Sequence, residues 1–230
     1  MKMRRGILWT GVLVLGLTAP AQATLIDRGG GLIYDSDQDL TWLQDANYAK
    51  TSGHDADGAM TWDAAMAWAG GLSYGGFTDW RLPTVTDIGN DGCNGSYSGT
   101  DCGYNVNTSG QELAYLWYDI LDNIAYCDTS GNCPQSGSGV TNTGPFTNLQ
   151  SRSIDYFWAF YWSGTEYATI PDWAWRFGTG EGGQDRNLKD NKFYAWAVRS
   201  GDVVPEPGTV LLLVTGLVWL LGFGRHQRRR

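Results

Sequence analysis

The chain has 230 residues, 42% hydrophobic and 17% charged, with a formal net charge of −8 at pH 7. Seven of its basic residues lie in two end segments, 1–23 and 204–230; the 180 residues between them carry 23 Asp and Glu against 9 Lys and Arg, a net charge of −14. That sign argues against nucleic acid and other polyanions, because phosphate contacts need clustered cations, and it is compatible with divalent cations, basic partners, neutral glycans or simple solubility.

Residues 1–23 read MKMRRGILWTGVLVLGLTAPAQA. Lys2, Arg4 and Arg5 precede an apolar stretch from Ile7 to Leu17, and Ala21-Gln22-Ala23 follows as an A-x-A cleavage site. This is the pattern of a secretory signal peptide, with Thr24 as the expected first residue of the exported form. Thr24 to Val203 fits one domain and is long enough to bury a core.

The exported segment opens with two expected strands, Leu32–Tyr34 and Leu40–Leu43, joined by an Asp-rich turn. In that turn Asp35, Asp37 and Asp39 alternate, and alternate carboxylates on a loop can converge on calcium. The run departs from an EF-hand loop, with Leu40 at its sixth position and Ala46 at its twelfth. Asp55 to Gly58 reads as a turn. The stretch MTWDAAMAWAGGL, residues 60–72, has near-helical apolar spacing at Met60, Ala64, Ala65, Ala67, Trp68 and Leu72, with Thr61 as N-cap and Gly70-Gly71 as the stop. Trp80–Leu82 is extended and ended by Pro83, and Arg81 has Asp79 or Glu112 as carboxylate partner.

Residues 89–110 form a Gly/Ser/Asn/Thr-rich loop that contains Cys93 and Cys102 and the Asn-x-Ser/Thr triplets at Asn94 and Asn107. A second helix is expected over 111–121, with Leu113, Leu116, Trp117, Ile120 and Leu121 on one face. Residues 127–145 form another loop, with Cys127 and Cys133. The last third alternates and turns like antiparallel strands, so the expected class is α+β. Four cysteines in an exported segment read as two disulfides, and four allow three connectivities. The local pairs Cys93–Cys102 and Cys127–Cys133 each bracket a polar loop, and a bridge of that length stabilises by about 2–3 kcal/mol. Zinc fits poorly, because no His lies near and neither spacing is C-x-x-C.

Ten of the twelve tryptophans fall between the end segments. Trp158, Trp162, Trp173 and Trp175 are candidates for a face on which sugar rings stack. The alternative is a Trp-rich core, with Trp173, Trp175 and Phe177 on one side of a half-buried strand. No G-x-S-x-G, H-E-x-x-H or phosphate-binding glycine loop occurs, and His54 is the one His of the exported segment, so no enzyme activity is expected. A glycosidase-like carboxylate pair stays open, since sequence does not give the separation of acids.

Four blocks carry a family resemblance: LTWLQDANYA (40–49), GGFTDWRLPT (75–84), YWSGTEY (161–167) and AWRFGTGEGG through AWAVRSG (174–201). In this order they resemble the domain family named after the C-terminal domain of a bacterial collagen-like adhesin (Lcl C-terminal type), a domain of unknown function. The resemblance implies a C-type-lectin-like fold: two helices packed on a small antiparallel sheet, long disulfide-bearing loops, and terminal strands near each other. The Glu-Pro-Asn and Trp-Asn-Asp signatures of calcium-dependent lectins are absent, so no calcium–sugar site is implied.

The last segment holds Pro205-Glu206-Pro207, a 17-residue apolar run from Gly208 to Gly224, then Arg225, Arg228, Arg229 and Arg230. The run is at the short end for a transmembrane helix, and the arginines would stay cytoplasmic. Triplet, helix and basic end together resemble the bacterial PEP-CTERM sorting signal. That implies processing by an exosortase in a Gram-negative envelope associated with exopolysaccharide. The expected protein is a non-enzymatic surface or biofilm-matrix component, anchored in the inner membrane before processing and binding glycan or another envelope partner. A ligand-free structural envelope protein and a carboxylate-using hydrolase are the alternatives.

Overall fold

A computed structural model describes residues 25–88, 93, 95–152 and 159–203. The signal peptide, the helix expected at 208–224, the sorting residues Pro205–Pro207 and Arg228–Arg230, and Trp158 lie outside the described residues. The described chain is mostly sheet, with few helices and two disulfides.

Strands β1 (Leu25–Gly29), β2 (Leu32–Asp35) and β3 (Leu40–Leu43) form an antiparallel meander, and β9 (Val198–Ser200) pairs antiparallel with β3. The first and last strands of the described chain therefore share one four-stranded sheet, ordered β1-β2-β3-β9. The β2–β3 turn depends on Asp35: its Oδ1 accepts the Asp37 and Gln38 amides, and its Oδ2 accepts Gln38 Nε2. Asp39 adopts a φ of 52°, which the short polar side chain of Asp tolerates.

The second sheet has five strands, ordered β4-β8-β5-β6-β7: β4 (Ala59–Met60), β8 (Phe193–Tyr194), β5 (Phe160–Glu166), β6 (Trp173–Gly178) and β7 (Gly183–Leu188). All pairings are antiparallel except β5 with β8. The two-residue β4 is one edge, and strand β7 is the other. The Gln184 amide, on its outward side, donates to Gly103 O, and the outward amides of Arg186 and Leu188 donate to the side chains of Asp185 and Asn187. This leaves little of the edge free to template another chain.

Helices are short. α1 spans Tyr48–Thr51, α2 Trp62–Gly70, and α3 Glu112–Tyr115, which continues into a wider turn at Leu116–Ile120 closed by the Leu121 amide on Leu116 O. On α2 the buried face is Ala65, Trp68 and Ala69; Ala64 and Ala67, expected inward, are exposed. Thr61 holds the N-cap position with extended backbone, but its hydroxyl makes no capping bond.

The main core draws on both sheets and on α2 and α3. Trp42, Trp117, Trp162 and Trp196 are all at most 1% exposed. Three of their indoles tie separate segments together: Trp117, in the turn after α3, donates to Thr179 O at 3.0 Å, Trp162 of β5 to Met60 O of β4 at 2.9 Å and Trp196 to Leu43 O of β3 at 2.7 Å. Buried Trp with its N–H satisfied contributes both area and direction. The extended segment around Arg81 crosses to β9, with Arg81 and Val198 exchanging backbone hydrogen bonds. Between the two possible partners, Arg81 takes Glu112, through NH1–Oε2 at 2.7 Å and NH2–Oε1 at 2.8 Å, while Asp79 pairs with Arg199.

Candidate functional site

Two of the tryptophans singled out as a stacking face, Trp162 and Trp175, cannot belong to one. Trp162 and Trp175 are 0% exposed, and a ring with no accessible face cannot stack on a sugar. The half-buried strand expected at 173–177 is instead an interior strand: β6 lies between β5 and β7, and Ala174 through Gly178 are buried on both faces. Trp175 belongs to a second, smaller core with Val85, Cys102 and Tyr167, and its indole N–H donates to Asp87 Oδ2 at 2.9 Å. Trp173 is partly exposed, but the Arg186 guanidinium lies 5.2 Å from its ring centre.

The Asp35 and Asp39 carboxylates serve the turn, and Asp37 contributes its backbone amide and is exposed. Asp35 is fully buried with both oxygens accepting hydrogen bonds, and Asp39 accepts the Tyr34 hydroxyl. Burial pushes the Asp35 carboxyl above its ordinary range, and its three donors pull against that. Among the described residues, the acidic, His and Cys atoms that converge within 4.8 Å are those of Cys93, Cys102 and Asp185, and both sulfurs are already bonded to each other. A disulfide offers no thiolate to a metal.

That same place holds a cavity of about 320 Å³. One wall is the first disulfide loop, with the bridge Cys93–Cys102, Gly103 and Tyr104. The other is the β6–β7 hairpin, from Glu181 through Gly183 to Arg186. The second core lies beneath it, as satellite cores do under long loops. The loop is fixed to β7 by reciprocal backbone bonds between Gly103 and Gln184, and Gln184 Nε2 reaches Asp101 O and Gln111 Oε1.

Glycines make room for the Glu181 side chain. A Cβ on Gly178 would stand 3.0 Å from Glu181 Oε1, and one on Gly183 3.2 Å from it. Gly182, at φ 77°, has its Cβ position blocked by the Trp117 ring at 2.7 Å. The segment Thr179-Gly180-Glu181-Gly182-Gly183 is thus a turn that only glycines allow around one acid. Glu181 Oε2 accepts the Tyr104 hydroxyl at 2.9 Å. Burial drives the Glu181 carboxyl above its ordinary range; Tyr104 and Arg176 lower it and Asp185 adds to the rise. Tyr104 is itself pushed well above the usual phenol range, by burial first and then by Glu181. Asp185 is held by cations: Arg186 NH1 reaches Oδ1 at 2.8 Å, and Arg176 NH2 lies 3.5 Å from Oδ2. Arg186 Nε is buried with no acceptor.

A wider groove of about 400 Å³ lies between α1 and α2, lined by Tyr48, His54, Trp68 and Leu72. Its imidazole, His54, is exposed and lies 6.5 Å from the Trp68 ring, with no acidic or basic side chain beside it in the lining, which makes it a poorer site.

Sequence reasoning did not single out Tyr104, Glu181, Asp185 or Arg186. The available signal was the acid enclosed by glycines in GTGEGG, beside a loop pinned by a disulfide.

The chain matches the PEP-CTERM protein-sorting motif over residues 203–230. It therefore carries a signal for export and for exosortase processing of a membrane-anchored form in Gram-negative bacteria. No curated protein and no solved structure matches the chain. Among the described residues no helix is long and apolar enough to cross a membrane.

Proposed function

We propose that residues 24–203 form a non-enzymatic, lectin-like domain that the sorting tail delivers to the cell envelope or extracellular matrix, where it binds polysaccharide. The observation that carries this is the position of the sorting motif, which begins at Val203, the last described residue of the fold. The net charge of −14 between the end segments directs the choice of partner toward neutral polymer. The two disulfides suit an oxidising compartment. The test is a glycan array and an exopolysaccharide pull-down with the secreted, processed protein, each with and without calcium. Retention by neutral polysaccharide supports the proposal; no retention on any polymer removes the glycan partner.

One observation favours a second possibility, a structural envelope protein without a ligand. Trp42, Trp117, Trp162, Trp175 and Trp196 are all buried, so the tryptophan content serves packing. A null result on the array combined with normal export supports that alternative.

A further inference from the structure

We infer that the cavity between the Cys93–Cys102 loop and the Glu181–Arg186 segment binds a neutral sugar residue through two adjacent hydroxyl groups. This rests on the polysaccharide-binding function proposed above and assigns its site.

Three features of the cavity select that chemistry. Its volume of about 320 Å³ is at the small end of ligand clefts, which run from about 300 to 1,000 Å³. Its charges cancel internally: the Asp185 and Glu181 carboxylates stand beside the guanidinium groups of Arg176 and Arg186. An anionic ligand would meet two carboxyl groups, and a cationic one would meet guanidinium groups already engaged with Asp185. Either would be desolvated without a counter-ion. The hydrogen-bonding capacity left over is mixed. Glu181 Oε1 has no donor among the described residues, and Arg186 Nε is buried without an acceptor. A vicinal diol supplies a donor to the first and an acceptor to the second. The disulfide and the Tyr104 ring, stacked on Tyr97 at 6.4 Å, offer apolar surface for the sugar's C–H face.

Catalysis is not part of the proposal. Both oxygens of Asp185 lie against guanidinium nitrogens, a poor setting for a nucleophile or base.

The experiment uses the secreted full domain and ligand-observed NMR with methyl glucoside, methyl mannoside and N-acetylglucosamine as neutral probes. Glucuronate and glucosamine serve as charged comparisons. At least one neutral probe should bind, and both charged analogues should bind at least 10-fold more weakly. Tyr104→Ala and Arg186→Ala should each weaken the neutral probe about 10-fold or more, with circular dichroism checking the fold. His54→Ala, in the other groove, should leave binding unchanged. Neutral binding that survives Tyr104→Ala and Arg186→Ala overturns this site but not the polysaccharide function. Tighter binding of glucuronate overturns the charge argument, and release of reducing ends overturns a non-catalytic site. Absence of binding by every probe and by every polymer on the array overturns both proposals; polymer retention without monosaccharide binding overturns the single-residue site alone.

Discussion

Removing the Glu112 carboxylate should cost the fold about 2 kcal/mol. Glu112 opens α3 and accepts three donors: Arg81 NH1 at 2.7 Å, Arg81 NH2 at 2.8 Å and the Thr84 amide at 2.7 Å. The forked pair is the strong kind of ion pair, because two parallel bonds share one fixed geometry. Hydrogen bonds to charged groups contribute about 1.5–3 kcal/mol each when the partner is left unmatched. Two discounts apply. Arg81 is 33% exposed, so an orphaned guanidinium can turn to water, and Thr84 is at the surface. Glu112→Ala at about 2 kcal/mol corresponds to a fall in Tm of about 4–8 °C for a domain of this size. Arg81→Lys keeps the charge but loses the fork and should cost about half as much. Arg81→Ala combined with Glu112→Ala should reveal a coupling of about 1 kcal/mol or more in a double-mutant cycle. Asp79 with Arg199 is the internal comparison: Asp79 is 56% exposed, and Asp79→Ala should cost under about 1 kcal/mol. Thermal melts of Glu112→Ala, Arg81→Lys, Arg81→Ala, the double variant and Asp79→Ala settle the point. If Glu112→Ala costs no more than Asp79→Ala, the claim that this pair joins the extended segment to α3 is wrong.

Glu181→Gln should be more stable than the native chain at pH 7 and equal to it near pH 4. The folded carboxyl is raised, so the unfolded chain releases its proton first, and native stability falls as pH rises from the free Glu value of about 4.3 through the folded value. Tyr104, Arg176 and Asp185 face this acid, and a pH series of melts that shows no gain at neutral pH would contradict the burial argument. Trp162→Ala should cost about 3–5 kcal/mol, or unfold the domain, because it removes a fully buried ring and the bond to Met60 O; denaturant unfolding measures it. Replacing Cys127 and Cys133 by Ser should cost about 2–3 kcal/mol, since the bridge closes a separation of 6 residues; a loss below 1 kcal/mol would mean that the unfolded loop is already compact.

The local order of the chain was readable where one residue type does one job. Strands β2 and β3 follow from alternation, the helical stretch 112–120 from the spacing Leu113, Leu116, Trp117, Ile120 and Leu121, of which Ile120 is only partly buried, and both disulfides from the polar loops they bracket. Strand β6 was misread because alternation marks a strand with one wet face, and β6 has sheet neighbours on both sides and cover on both faces. Its interior position follows from the two hairpins that set β5 and β7 on either side of it. The cavity was hidden for a related reason. Tyr104 and Glu181 are 77 residues apart, and the Gly103–Gln184 bridge, with Gln184 Nε2 on Asp101 O, brings them together. Aromatic content pointed to tryptophan, yet Trp162 and Trp175 are consumed by the core, and the ring that lines the cavity is Tyr104.

The junction between fold and tail leads to a final prediction. Gly201, at φ 78°, turns the chain away from β9; its amide donates to Asp39 O, and its carbonyl accepts the Thr41 hydroxyl. Asp202 is then gripped by Arg28 of β1, with Arg28 Nε donating to Oδ1 at 2.9 Å, and Val203 packs against the core. Folded contacts therefore continue to the residue where the sorting motif starts. At an extended reach of about 3.3–3.6 Å per residue, the Pro205–Pro207 triplet lies within roughly 14 Å of Val203. Processing near the triplet would leave a stub of only two to four residues. Mass spectrometry of the secreted protein should place its C-terminus between Pro205 and Pro207, and a secreted form that retains Arg230 would refute processing. With so short a stub, anything joined to the new end is held at the four-stranded sheet, whereas the candidate cavity is built on the edge of the five-stranded one. Attachment and ligand binding then use different sheets, and neither has to be released for the other to occur.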